Sequence, residues 1–199
     1  MKKFLPLQAM LEVAIFAALA MLIDLLPGIK PIPSISISLA MVPIFIVAFR
    51  WGVKASFISG FIWGILQIVT GDAWILTPLQ AFIEYFVAFS FIGFAGLMMS
   101  VVQNAVRSQN RPKLITSVLV GVLIGSIGRY FWHFIAGVVF FANYAEEAGQ
   151  TPIYFSFVTN SITMISNFIG CSIVIILILM VRPTFLTMNK PVEANRKVS

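Results

Sequence analysis

"KLITSVLVGVLIGSIGRYFWHFIAGVVFFA", residues 113–142, is the stretch on which the architecture turns. About 20 apolar residues suffice to cross a bilayer as a helix, and this run exceeds that length. Yet it carries Arg129 and, one turn later, His133, the only histidine in the chain. An arginine at the centre of a membrane helix costs about 2.5–3.5 kcal/mol on insertion scales, so such a group faces a cavity or a partner and not lipid. The stretch therefore reads as a membrane helix with one face turned into a bundle.

The rest of the chain fits that reading. Of 199 residues, 60% are hydrophobic and 10% charged, and the mean hydropathy is +1.00. A soluble domain of this size needs far more polar surface, so an all-α integral membrane protein is expected. The single cysteine, Cys171, lies in an apolar run and can form neither an internal disulfide nor a thiolate metal cage. Apolar runs near 8–27, 35–50, 53–71, 78–104, 113–142 and 154–182 predict six transmembrane helices. Between the first two, "LPGIKPIPSIS" holds Pro27, Gly28, Pro31 and Pro33; it cannot be helical and is a loop of the kind that covers a site.

Basic residues set the orientation. Lys2 and Lys3 precede the first span, and Arg50 and Lys54 separate the second from the third. Arg107, Arg111 and Lys113 separate the fourth from the fifth, while Arg182, Lys190, Arg196 and Lys197 follow the sixth. The opposite connections hold Lys30 with the acids Asp72, Glu146 and Glu147. The positive-inside bias places both termini in the cytoplasm. Lys2-Lys3, an apolar run and "ALA" at 18–20 imitate a signal peptide, but cleavage there would remove a span and spoil the alternation of charge. One six-helix domain over 1–182 and a short, frayed basic cytoplasmic tail over 183–199 are expected.

Polar groups within the spans mark a candidate site. In "LQAFIEYFVAF", Gln80, Glu84 and Ala88 recur every four residues, with Tyr85 roughly 100° away. Glu84 is a carboxylate free to face a ligand or to pair with Arg129 across helices. Span five supplies Arg129, His133, Gly137 and Phe141 at the same spacing, Gly137 leaving room for a ring. "PIYFSFVTNSITMISN" supplies Tyr154, Ser156, Thr159, Asn160 and Ser161, of which Asn160 is the costliest to leave unpaired. Trp74 in "GDAW", with Trp132, Phe140, Phe141 and Tyr144, offers aromatic surface for an interfacial belt or a stacking wall. Glu12 reads as a solvated helix-start acid. Ala14 and Ala18 form a small-xxx-small face on span one that permits close approach of another helix.

One carboxylate, one imidazole, one amide, hydroxyls and rings suit a small, flat ligand with hydrogen-bonding edges and positive charge. No cofactor or metal is expected: bis-histidine haem ligation needs a second histidine, and zinc wants several His or Cys ligands. Ser126 and His133, seven residues apart on one helix, come without a Gly-x-Ser-x-Gly elbow, so no enzyme is expected. Nor is there a phosphate loop of the Gly-x-x-x-x-Gly-Lys type, so the chain is not its own ATP motor; an energy source argues for a partner. An ion-coupled carrier is the alternative, although its acid–base content is thin.

The stretches "SISLAMVPIFIVAFRWGVKASFISGFIWGILQIVTGDAW", "LQAFIEYFVAFSFIGFAG" and "GSIGRYFWHFIAGVVFFANYA" resemble the thiamin-specific S-component of energy-coupling-factor (ECF) transporters, over nearly the whole chain. The resemblance implies a six-helix substrate-binding subunit in the bacterial cell membrane that captures thiamin from outside. It also implies association with a shared transmembrane coupling protein and two cytoplasmic ATPases, with Ala14 and Ala18 as the docking face. By the same resemblance Glu84, Tyr85, His133 and Asn160 contact thiamin, Gly137 and Phe141 complete the wall, Trp74 supplies a loop aromatic, and Arg129 orients the site. The chain departs from the family in three places. Phe141 stands where some relatives have Trp. "YFSFVTN" replaces a Tyr-Ser-x-x-Tyr-Asn pattern, so Tyr154 or Phe155 takes the tyrosine's place. "GIKPIPSIS" lacks a tryptophan that some members use as a lid. An S-component for riboflavin or hydroxymethylpyrimidine is the neighbouring alternative.

Overall fold

The computed structural model describes residues 5–26, 29–32 and 35–187, with 29–32 described by backbone alone. Lys2, Lys3, Lys190, Arg196 and Lys197, part of the basis for the orientation, lie outside the described residues. The elements in chain order are α1 (Leu7–Asp24), β1 (Ile29–Ile32), β2 (Ile35–Ile37), α2 (Met41–Trp51), α3 (Val53–Thr70) and α4 (Pro78–Arg107). There follow α5 (Arg111–Phe140), the short α6 (Ala142–Glu147), α7 (Pro152–Val181) and a 3₁₀ turn at Pro183–Leu186.

Local chemistry sets these boundaries. The starts of α4, α5 and α7 each combine a polar cap with an early proline, whose missing N–H costs nothing in a first turn. Thr77 accepts from the Gln80 amide, Asn110 from that of Lys113, and Thr151 from that of Tyr154. Gly52, at φ 81°, makes the break between α2 and α3, a backbone conformation that favours glycine.

Among the described residues five helices, α1, α3, α4, α5 and α7, are long and apolar enough to cross a membrane. Their outer faces carry large exposed side chains such as Leu7, Ile15, Leu22, Val139, Ile173 and Met180. Buried positions include Ser56, Ser59, Gln67, Gln80 and Asn167. Apolar residues outside and hydrogen-bonded polar residues inside are what a lipid environment selects.

The bounds of the second predicted span, 35–50, are corrected. Residues 35–37 are a strand, paired antiparallel with β1 (Ile29 opposite Ile37, Ile32 opposite Ile35). The helix that follows has 11 residues, about 16 Å at 1.5 Å per residue, against a hydrocarbon core of about 30 Å. Every residue from Met41 to Phe49 is buried. This segment is apolar because protein surrounds it on all sides, and hydropathy alone does not separate that case from lipid exposure. The sequence beyond Arg182 is also not frayed at its start: Leu186 is buried, and Arg50 donates to the Phe185 carbonyl.

Glu12 departs from its solvated reading as well. It pairs with Arg50 (Nε–Oε2 2.6 Å, Nη2–Oε1 2.7 Å) and accepts from Trp51 Nε1 at 2.7 Å, tying α1 to the end of α2.

Helices α3 and α4 meet backbone to backbone. A Cβ at Gly64 would lie 1.9 Å from the Tyr85 carbonyl oxygen, and one at Gly60 would lie 2.2 Å from that of Phe89. Gly64→Ala is therefore expected to push α4 away at Tyr85. A cost of about 1–3 kcal/mol, typical of overpacking, should appear as a lowered thermal midpoint of the purified protein. An unchanged midpoint would contradict this packing.

Candidate functional site

A cavity of about 350 Å³ opens at one end of the bundle, within the usual range for small-molecule sites. Its walls come from the end of α1, β2 and the residues after it, the end of α3, the 72–74 loop, α4, α5 and α7.

The α4 wall is irregular. Phe82–Val87 winds as a π-helix and Ile92–Met98 as a 3₁₀-helix. Wide turns of the first kind are frequent at functional sites, because the looser winding re-aims side chains; this one holds Glu84 and Tyr85. Gln80, wholly buried, donates to Glu84 Oε2 and to the Trp74 carbonyl (3.1 Å) and accepts from the Leu76 amide (3.0 Å). It thus fixes both the acid and the loop above it. Tyr85 Oη accepts from the Trp74 amide at 2.7 Å.

From α5, His133 Nδ1 stands 3.2 Å from Glu84 Oε1, and Arg129 Nε donates to His133 Nε2 at 3.2 Å. The direct Glu84–Arg129 alternative is not the arrangement found: the imidazole lies between them. The guanidinium lies 4.3 Å from the Phe89 ring centroid and 5.0 Å from that of Trp63, in cation–π range.

From α7, Ser156, Thr159, Asn160, Thr163 and Asn167 share the cavity face. The hydroxyls of Ser156, Thr159 and Thr163 donate to backbone carbonyls at 2.8 Å, so they are less available than a polar entrance would suggest. Asn160 Nδ2 donates to the Ser156 carbonyl at 2.9 Å and to its hydroxyl at 3.2 Å. Its Oδ1 accepts from none of the described residues and is open to a donor. Gly137 serves this helix contact: a Cβ there would meet Ser156 Oγ at 2.2 Å. Gly137 also lines the cavity.

The rim is aromatic. Trp74 packs edge-on against Phe141 (6.5 Å) and Tyr144 (5.9 Å). Of the sequence-chosen residues, Trp74, Glu84, Tyr85, Arg129, His133, Gly137, Phe141 and Asn160 all line the cavity. Tyr154 does not. It is 58% exposed on the outer side of α7, and Phe155, one residue on, takes the wall. Trp132 is also off the wall, packed against Phe91 at 5.4 Å. Ala14 and Ala18 are exposed on α1 away from the cavity, while the neighbouring Ala17 is buried.

Sequence reasoning missed the opposite end of the cavity. Asp24 accepts from Ser38 Oγ (3.0 Å) and from Gln67. Asn167 accepts from the Ser38 amide (2.7 Å) and donates to the Ser36 carbonyl (2.9 Å) and Tyr130 Oη (2.7 Å). The signals were present: Asp24 is an acid closing an apolar run, and 160, 163 and 167 follow helical spacing.

Taken together, the apolar exterior and the polar cavity define a multi-pass membrane protein with a cavity of small-molecule size. Residues 10–187 match the family described as thiamine transporter protein (Thia_YuaJ), and the chain belongs to that family. It is 39% identical over 184 residues to the thiamine transporter ThiT of Bacillus subtilis (strain 168), covering 91% of this chain and 95% of that protein. Against the thiamine transporter ThiT of Lacticaseibacillus paracasei, identity is 33% over 181 residues, covering 89% and 90%. A solved structure of ThiT from Listeria monocytogenes superposes with a TM-score of 0.88 at 37% identity, covering 92% of this chain and 98% of that one.

Proposed function

We propose that this chain is the thiamin-capturing subunit of an ECF-type importer. In this reading six segments lie within the membrane, the buried α2 included, with both termini in the cytoplasm and the cavity open to the outside. Thiamin is captured there, and the exposed Ala14/Ala18 face of α1 docks on a transmembrane coupling protein driven by two cytoplasmic ATPases.

The observation that carries the reading is Glu84, a carboxylate clamped by Gln80 and His133 on the wall of a cavity with an aromatic rim. Thiamin presents a permanent thiazolium cation and an aminopyrimidine edge. Glu84 supplies countercharge in a poorly screened site, and Asn160 Oδ1 accepts from the amine. Tyr85 and His133 flank the ligand, while Trp74, Phe141 and Phe155 offer ring faces to it. Arg129 orients the site through His133.

Titrating the purified protein's tryptophan fluorescence with thiamin, riboflavin and biotin tests this directly, since Trp74 is half exposed at the rim. A saturable change with thiamin alone is the expected result. A response to riboflavin and none to thiamin would reject the assignment.

A further inference from the structure

We propose that Arg129 holds His133 as a neutral imidazole with its proton on Nδ1, making the ring a relay that aims Glu84 and not a hydrogen-bonding contact to the ligand. The proposal deepens the reading of the cavity as a thiamin site and rests on that reading only for its binding readout.

The assignment follows from what each atom is able to do. A guanidinium has donors and no acceptor. Arg129 Nε points at His133 Nε2 at 3.2 Å, so that nitrogen presents its lone pair; a proton there would set two N–H groups head to head. The proton of the neutral ring then belongs to Nδ1, which lies 3.2 Å from Glu84 Oε1, an acceptor. This tautomer satisfies both contacts. The Nε2–H tautomer satisfies neither, and the imidazolium satisfies one while opposing the guanidinium.

Neither end of the relay is loose. Arg129 is stacked near Phe89, Trp63 and Tyr130, at 4.3, 5.0 and 5.5 Å from their ring centroids, and Phe89 and Trp63 are buried. At the other end Glu84 Oε2 is taken by the wholly buried Gln80. The carboxylate is thus gripped through one oxygen by α4 and through the other by α5. Each carboxylate oxygen has further lone-pair capacity for a ligand, whereas both ring nitrogens of His133 are already engaged. What the histidine turns toward the cavity is ring face and C–H edge. Arg129 is accordingly a positioning residue, one bond removed from the group that meets the ligand.

The chain has one histidine, so selective ¹⁵N labelling of imidazole gives one pair of nitrogen resonances with no assignment problem. In lipid nanodiscs without ligand, long-range ¹H–¹⁵N spectra near pH 6 are expected to show the Nδ1–H tautomer as the single dominant form. Arg129→Met removes the opposing donor while Glu84 remains, so Nε2 is expected to take up a proton and the tautomer signature to be lost. Thiamin affinity should fall about ten-fold, in line with the loss of one charge-assisted interaction. If that variant does not fold, Arg129→Leu also removes both the charge and the donor and is expected to behave likewise.

An Nε2–H tautomer or an imidazolium in the parent protein overturns the proposal. So does an unchanged spectrum in the folded arginine variant, which would mean that Glu84 alone sets the ring. Because the spectra are recorded without ligand, they separate this idea from the functional one. The expected tautomer with no thiamin affinity would refute the cavity assignment and leave the relay standing.

Discussion

Glu84→Gln is expected to weaken thiamin binding by about ten- to a hundred-fold, corresponding to about 1.5–3 kcal/mol for a hydrogen bond to a charged group. Two effects add. The substitution removes the countercharge facing a permanent cation. It also replaces one of two acceptor oxygens with an NH₂ group, while Gln80 and His133 Nδ1 both approach as donors. One of those contacts becomes donor against donor, and the side chain loses its fixed aim. Titration calorimetry reads the affinity, and a thermal midpoint close to the parent's shows that the bundle is intact. Equal affinity in the variant would remove the carboxylate from ligand recognition.

Ala14→Trp is expected to abolish thiamin uptake by cells expressing the complete transporter while leaving binding to the purified subunit unchanged. Ala14 is exposed on the outer side of α1 and lines no part of the cavity. An indole there blocks the close helix approach that a small-xxx-small face allows, yet touches nothing that holds Glu84 or Asn160. Uptake at the parental rate would show that energising partners dock elsewhere. Loss of binding as well would show that α1 packing, not docking, had been damaged.

How far the sequence revealed this molecule depended on how local each signal was. Long apolar runs identified α1, α3, α4, α5 and α7 to within a few residues, because lipid exposure leaves a continuous record. It misread α2, since a helix enclosed by other helices is as apolar as one enclosed by lipid. It also gave no warning of the π and 3₁₀ turns within α4. The π turn packs at Tyr85 against Gly64 of α3, and the 3₁₀ turn brings its own Gly93 and Gly96 against Phe57 and Val53, relations between distant residues that no window on α4 contains.

In the cavity, the costly polar groups inside apolar runs, Glu84, Arg129, His133 and Asn160, were legible because nothing but a polar interior tolerates them. Their connectivity was not. Spacing put Arg129 and His133 on one stripe, but only the fold inserts the imidazole between the guanidinium and Glu84. Tyr154 failed for a related reason: one residue of offset on a helix is about 100°, enough to carry a side chain from the wall to the exterior. Asp24 and Asn167 left signals of their own, but their joining through Ser36 and Ser38 was not legible, because those partners belong to a short connection whose course periodicity does not describe.

Apart from the cavity lining, the described helices share an apolar core. Ile44, Phe45, Phe49, Ile92, Val102, Val118 and Val122 belong to one continuous buried core and none of them lines the cavity; protein interiors of this kind pack about as densely as organic crystals. The chain is thus a cup and not a tube: what enters at the mouth finds a floor. On the proposed thiamin-capturing reading, delivery across the bilayer without opening that core would need the vessel itself to turn or shift.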